Sequence, residues 1–239
     1  MNTTKIVVTF SGYNSDAINE EIEAAESHLS DFDIVEIRGD VFDALNRQDH
    51  ASIVRRIIDK FKAFDKEIIY TYRTSGEGGK GSKTTVEYQA LLLEVCKSMD
   101  IDYIDIEMSV GKKIVQEIIE TAKTHQIKTL LSYHNFKETL DYHALMDLLS
   151  QMNQVEGDVF KFALYPTNGE DVDTVVDVQK TAKAQYGHKV IGISMGELGK
   201  RTRVLTGDYA PLFTYGYISR DAAPGQIHIS ELRKTLTSL

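Results

Sequence analysis

At 239 residues, 42% hydrophobic and 26% charged, the chain has the make-up of an ordinary globular protein, suited to one α/β barrel or two smaller domains. A net charge of −9 with no basic stripe argues against nucleic acid as a partner, and no apolar run approaches the roughly 20 residues of a membrane span. The apolar run at 6–10 is too short for a signal-peptide core, and the lone cysteine, Cys96, reads as a buried helical packing residue in a reducing cytosol.

Strand-like runs rich in Ile, Val, Tyr and Phe alternate with helical spacing from end to end. The strands are expected at 5–10, 34–38, 67–73, 103–108, 128–134, 159–165, 189–195 and 212–218, bounded by Gly, Pro, Asp or Asn. Between them, Ile18-Ile22-Ala25-Leu29 and Ile53-Ile57-Ile58-Phe61 each mark one helical face, as do Val86-Ala90-Leu93, Ile114-Ile118-Ala122 and Leu145-Leu148-Leu149-Met152. Val172-Val175-Val176 is a shorter stripe, the seventh helix near 197–205 is weakly patterned, and a short last helix spans 229–239. Eight strands each followed by a helix, without a linker or a composition break, predict a single-domain (β/α)8 barrel of the TIM type over residues 1–239. An open doubly wound sheet is disfavoured because the turn after the first strand, SGYN, lacks the glycine-rich dinucleotide pattern.

Side chains alternate along a strand, and this sorts the polar residues. Glu36 and Arg38 oppose Val35 and Ile37, Thr71 and Arg73 oppose Tyr70 and Tyr72, and Asp105 and Glu107 oppose Ile104, Ile106 and Met108. Ser132 and His134 oppose Leu131 and Tyr133, and Lys161 opposes Phe160 and Phe162. The apolar sets belong against the helices, so the polar sets point into the barrel near the C-terminal strand ends, where barrel enzymes keep their sites. Some of these groups could be structural ion pairs, Arg38 with Glu107 for example. A ring of charges converging on one lysine and one histidine nevertheless fits a site better, since buried ion pairs rarely stabilise. Taken alone, Lys161 could snorkel to solvent; buried, it would lose basicity and become a nucleophilic amine.

The loop TSGEGGKGSK at 74–83 fails as a phosphate loop, because Gly79-Lys80 is followed by Gly81 and Thr74 takes the first glycine position. It reads either as a flexible glycine-rich turn or as the carrier of Glu77, placed to orient a histidine. No spacing suggests a metal site. His28, His50, His125, His143, His188 and His228 read as surface residues.

Taken together, EIR at 36–38, TYRTSGEGG at 71–79, YIDIEM at 103–108 and SYHNF at 132–136 resemble the type I 3-dehydroquinate dehydratase family. The likeness continues through VFKFALYP at 159–166, GISMGELGKRTR at 192–203 and APGQI at 223–227, so it is nearly end to end. The resemblance implies a cytoplasmic shikimate-pathway hydro-lyase, dimeric, with no metal and no organic cofactor. It implies Lys161 as the Schiff-base lysine, His134 as proton donor and acceptor, and Glu77 as the partner of that histidine. It places Arg203 on the substrate carboxylate, Glu36, Arg38 and Arg73 on substrate hydroxyls and site electrostatics, and Gln226 in a lid. Three positions depart from the family pattern. Asn135 stands where Asp is common, Ala222 where Ser is common, and Gly39 where an apolar residue is usual. The competing readings are a class I aldolase, which would use the same strand-six lysine, and a non-catalytic binding barrel.

Overall fold

Eight parallel strands form where the alternation predicts them, in a computed structural model that describes residues 4–43, 45–219 and 221–238. The first half runs β1 (Lys5–Phe10), α1 (Ser15–Glu26), β2 (Ile34–Arg38), α2 (Arg47–Lys62), β3 (Glu67–Thr71), α3 (Thr85–Ser98), β4 (Tyr103–Glu107) and α4 (Lys112–Thr124). The second half runs β5 (Lys128–Asn135), α5 (Tyr142–Gln154), β6 (Val159–Leu164), α6 (Gly169–Tyr186), β7 (Val190–Ser194), α7 (Gly196–Gly199) and β8 (Phe213–Tyr217). A two-residue β9 (Ile227–His228), which the sequence did not suggest, and α8 (Ile229–Thr237) follow. Leu239, the expected end of the last helix, lies outside the described residues.

The sheet curls in the order β7-β6-β5-β4-β3-β2-β1-β8-β9. Where β7 meets β8 the seam carries the Leu212 N–H to Val190 carbonyl bond, 3.2 Å, rather than a ladder. Helices start at the C-terminal strand ends because capping side chains stand there. Asn14 accepts from the Ala17 amide, Asp141 from Ala144 and Asn168 from Asp171, while Thr84 and Glu87 form a reciprocal capping box. Each cap is worth about 1 kcal/mol.

The strand faces divide as alternation requires. Val8, Val35, Ile37, Ile68, Tyr70, Ile104, Ile106, Leu131, Phe160 and Phe162 pack outward against the helices, where Cys96 is also buried. Inside, Val7, Ile34, Ile69, Tyr103, Leu130, Val159, Ile191 and Phe213 form a separate apolar cluster that floors the barrel. Burial pushes the Cys96 thiol up to about 12, which keeps it inert.

Three segments depart from expectation. On α3 the stripe Val86-Ala90-Leu93 is not the core face: Val86 is 72% exposed, and Tyr88, Leu92, Val95 and Cys96 are buried instead. The third strand ends at Thr71 rather than Arg73, because the Arg73 amide turns to the Asp40 carboxylate (3.2 Å) and its carbonyl accepts from Gly81 (3.0 Å). The seventh helix is one turn of α7 continued by a 3-10 turn, Lys200–Val204. That tighter turn brings Arg203 into the barrel mouth.

Candidate active site

Above the apolar floor the same strand faces become polar and line a cavity of about 430 Å³ at the C-terminal strand ends. All nine residues named from the sequence, Lys161, His134, Glu77, Glu36, Arg38, Arg73, Arg203, Gln226 and Ala222, line this cavity.

Lys161 comes from the middle of β6 and is 5% exposed. Its Nζ lies 3.9 Å from the centre of the Tyr215 ring and 4.0 Å from Glu36 Oε1. Burial lowers its pKa; Glu36 and Asp105 pull it back up, while Arg73 and Arg38 add to the fall. Glu36 is itself fixed by Thr9 Oγ1 (2.8 Å) and Thr71 Oγ1 (2.9 Å). Burial would raise the Glu36 pKa, but Lys161 and Arg38 outweigh it and hold the carboxyl below its ordinary range. The amine thus sits between an aromatic face and an anchored carboxylate, with little freedom to leave the cavity.

Glu77 arrives from the glycine-rich loop and receives the His134 Nδ1–H at 3.0 Å and the His134 backbone N–H at 3.1 Å, both on Oε2. With Nδ1 donating to a carboxylate, the neutral ring keeps its lone pair on Nε2. Burial and the cations Arg73, Lys161 and Arg38 hold the His134 pKa well below 6.5, so the ring is neutral at pH 7. Glu77 is pushed up to about 7, chiefly by burial and then by Glu107 and Asp105, against the pull of Arg73. The loop is closely packed rather than loose. A Cβ on Gly79 would stand 2.1 Å from the Arg73 carbonyl oxygen, so only glycine lets the chain fold back over β3.

Arg73 is the hub of the mouth. Its guanidinium donates to Asp105 (2.7 Å), Ser132 (2.9 Å), Glu107 (3.0 Å) and, at 3.4 Å, Glu77. Burial acts against the charged form, yet Asp105, Glu107 and Glu77 hold its pKa well above the ordinary arginine value. The ion pair considered from the sequence, Arg38 with Glu107, is not the arrangement found: Glu107 pairs with Arg73, and Arg38 forks onto Asp40 at 2.7 and 2.8 Å. Asp40 also accepts from the amides of Arg73 and Lys80, tying β2, β3 and the glycine loop together.

Arg203 is 2% exposed and donates to the carbonyls of Tyr215 (3.3 Å) and Pro224 (3.0 Å). Among the described residues its Nε has no partner and no carboxylate pairs with it. Burial brings its pKa down to about 10, so it remains cationic at neutral pH. The segment from Asp221 to Gln226 crosses the mouth, pinned by the Gly196 amide to the Pro224 carbonyl (3.1 Å) and by the Ala222 amide to Gln226 Oε1 (2.8 Å).

The three departures have local explanations or consequences. Asn135 Oδ1 accepts from the amides of Lys137 and Glu138, so it shapes the turn after β5. A Cβ on Gly39 would fall 2.2 Å from the Tyr70 hydroxyl, so glycine there makes room for that outward-facing ring. Ala222 lines the cavity with its methyl group and offers it no hydroxyl.

Thr9, Asp40, Ser109 and Tyr215 were not singled out from the sequence. Thr9 and Tyr215 share the inward face with Val7 and Phe213, so the parity of the first and eighth strands could have found them. Asp40 and Ser109 lie in turns, where alternation carries no signal. The outlying histidines also need correction. His125 and His143 are exposed, but His28, His50, His188 and His228 are half-buried; His50 packs on Phe42 and Tyr70, and His28 on His228. Among the described residues no group of three or more His, Cys, Asp or Glu could hold a metal, and no helix is long and apolar enough to cross a membrane.

Comparison with known proteins gives this geometry a family. The 3-dehydroquinate dehydratase of Staphylococcus saprophyticus is 32% identical over an alignment of 248 positions, covering 99% of each chain. That of Escherichia coli is 30% identical over 236 residues, covering 98% of this chain and 92% of its own. The solved type I 3-dehydroquinate dehydratase of Clostridium difficile, determined with covalently modified comenic acid, superposes at a TM-score of 0.92. Its identity is 25%, over 100% of this chain and 93% of that one. The family model described as type I 3-dehydroquinase matches residues 6–239. This chain belongs to the type I 3-dehydroquinase family.

Proposed function

We propose that this barrel eliminates water from 3-dehydroquinate to give 3-dehydroshikimate through a Schiff base on Lys161. The observation that carries the reading is a buried lysine of lowered basicity sharing one cavity with a neutral histidine that Glu77 orients. Neutral Nζ attacks the C3 ketone, and the carbinolamine loses water to form an imine. The protonated imine is an electron sink, so His134 can remove the C2 proton through Nε2. The enamine then expels the C1 hydroxyl, which takes a proton from the imidazolium, and hydrolysis of the product imine returns the lysine.

Substrate placement follows from charge. Arg203, buried without an anionic partner among the described residues, receives the carboxylate as a guanidinium fork. Glu36, Arg38 and Arg73 order the polar wall that meets the hydroxyls. Gln226 and Ala222 close the strap over the ligand. The nine named residues act as one site within a single catalytic domain. A cytoplasmic homodimer completes the reading on the strength of the family resemblance, and light scattering during gel filtration checks the dimer by returning twice the chain mass.

The test is intact-mass measurement after borohydride treatment with 3-dehydroquinate, on wild type and Lys161→Ala. One reduced adduct per chain in wild type alone supports the mechanism. Consumption of 3-dehydroquinate without an adduct would remove Lys161 from its role. A protein that neither binds nor consumes it sinks the dehydratase reading.

A further inference from the structure

The turn after β4, Met108–Val110, places an exposed serine behind the catalytic pair. Ser109 Oγ donates to Glu77 Oε1 at 2.7 Å, on the opposite side of the carboxylate from His134 Nδ1, which bonds Oε2 at 3.0 Å. We propose that Ser109 is a positioning residue for the proton-transfer step, fixing the Glu77 carboxylate in the orientation that holds His134 as base. This inference rests on the proton-transfer role given above to His134.

The surroundings show why such a donor matters. Glu77 faces Arg73 from the loop just past β3, Glu107 and Asp105 from β4, and His134 from β5, while Lys161 on β6 faces His134 from across the cavity. Among the described residues Arg73 is its one cationic neighbour in hydrogen-bond reach, and that contact is long, at 3.4 Å, on an oxygen already shared with His134. Glu107 and Asp105 take the shorter guanidinium bonds and repel the Glu77 carboxylate. Oε1 therefore relies on Ser109. A hydrogen bond to the charged form favours that form, and burial is what opposes it here. Without the serine donor, Glu77 takes up a proton at higher pH. A protonated Glu77 no longer fixes the Nδ1–H tautomer, so His134 loses its aim.

Ser109 is exposed and outside the cavity lining, so its replacement leaves the fold intact. The experiment compares wild type, Ser109→Ala and Ser109→Thr by the pH profile of kcat and by 13C titration of the Glu77 carboxyl. Ser109→Ala should move the acidic limb and the carboxyl midpoint up together by about half to one pH unit. Its kcat should fall about 3- to 10-fold on the acidic side and recover at high pH, with KM and Tm unchanged. Ser109→Thr, which keeps a hydroxyl, should return both curves toward wild type. A Ser109→Ala carboxyl midpoint that coincides with wild type overturns the inference, whether or not the protein turns over 3-dehydroquinate. Absent wild-type turnover, with the midpoint shifted, would instead count against the proposed reaction.

Discussion

The floor and the mouth of the barrel are built from the same strand faces, one or two inward positions apart, and they do opposite work. At the floor, Val7, Ile34, Ile69, Tyr103, Leu130, Val159, Ile191 and Phe213 close on one another, with the Tyr103 and Phe213 rings edge to face at 5.3 Å. Each such burial stabilises by about 1.5–3 kcal/mol. Two residues further along, Thr9, Glu36, Thr71, Asp105, Ser132 and Lys161 fill the equivalent positions with hydroxyls and charges. Replacing such buried charges with well-packed apolar groups is often neutral or stabilising. The difference teaches that the fold is secured from below and by the helix layer, while the mouth is held polar for chemistry.

The comparison breaks most visibly at Lys161. Lys161→Met keeps the stem and removes the amine, so turnover should drop by about 10⁴-fold or more while Tm holds or rises. Steady-state assay and thermal melting check this together, and a variant that still turns over but melts early would reverse the assignment of roles. His134→Ala should lower kcat by about 10³-fold yet still allow borohydride trapping on Lys161. Loss of the adduct in that variant would mean the histidine is required before the imine forms.

The floor responds in the other currency. Phe213→Ala removes a side chain with no exposure and should cost about 3–5 kcal/mol in urea unfolding, with kcat of the folded protein within a few-fold of wild type. A large kcat loss with little instability would show that floor and mouth are coupled.

The smallest effect sharpens the contrast through pH. Glu77 titrates near 7 in the fold against 4.5 for an ordinary glutamate, chiefly because it is buried. A folded value raised in this way gives stability that is present below pH 4.5 and lost as pH rises toward 7, because the buried carboxylate must then ionise. Glu77→Gln carries no such loss. Its stability relative to wild type should therefore climb by about 1–3 kcal/mol between pH 4.5 and pH 8, while its activity falls. Parallel melting curves across that range would refute the assignment.

Much of the mouth could be read from alternation. Glu36, Arg73, Asp105, Glu107, His134 and Lys161 share a parity with their apolar floor residues, and a strand offers a side chain only two directions. Turns obey no such rule. Asp40 ties three segments together from a 3-10 turn, and Ser109 reaches Glu77 from another, contacts 33 and 32 residues away in the chain respectively. That Glu107 pairs with Arg73 rather than Arg38 was equally hidden, since alternation turns both arginines toward the same ring of carboxylates.

By itself the sequence determined the eightfold alternation, the inward face of most strands and the residue types that meet at the mouth, because periodicity is a local property of the backbone. Only the tertiary structure decided which charges pair, how far Glu77, Tyr215 and Glu36 lie from the groups they act on, and that no carboxylate among the described residues meets Arg203. Those depend on strand stagger, on the glycine loop folding back over β3 and on desolvation, which no short stretch of sequence contains.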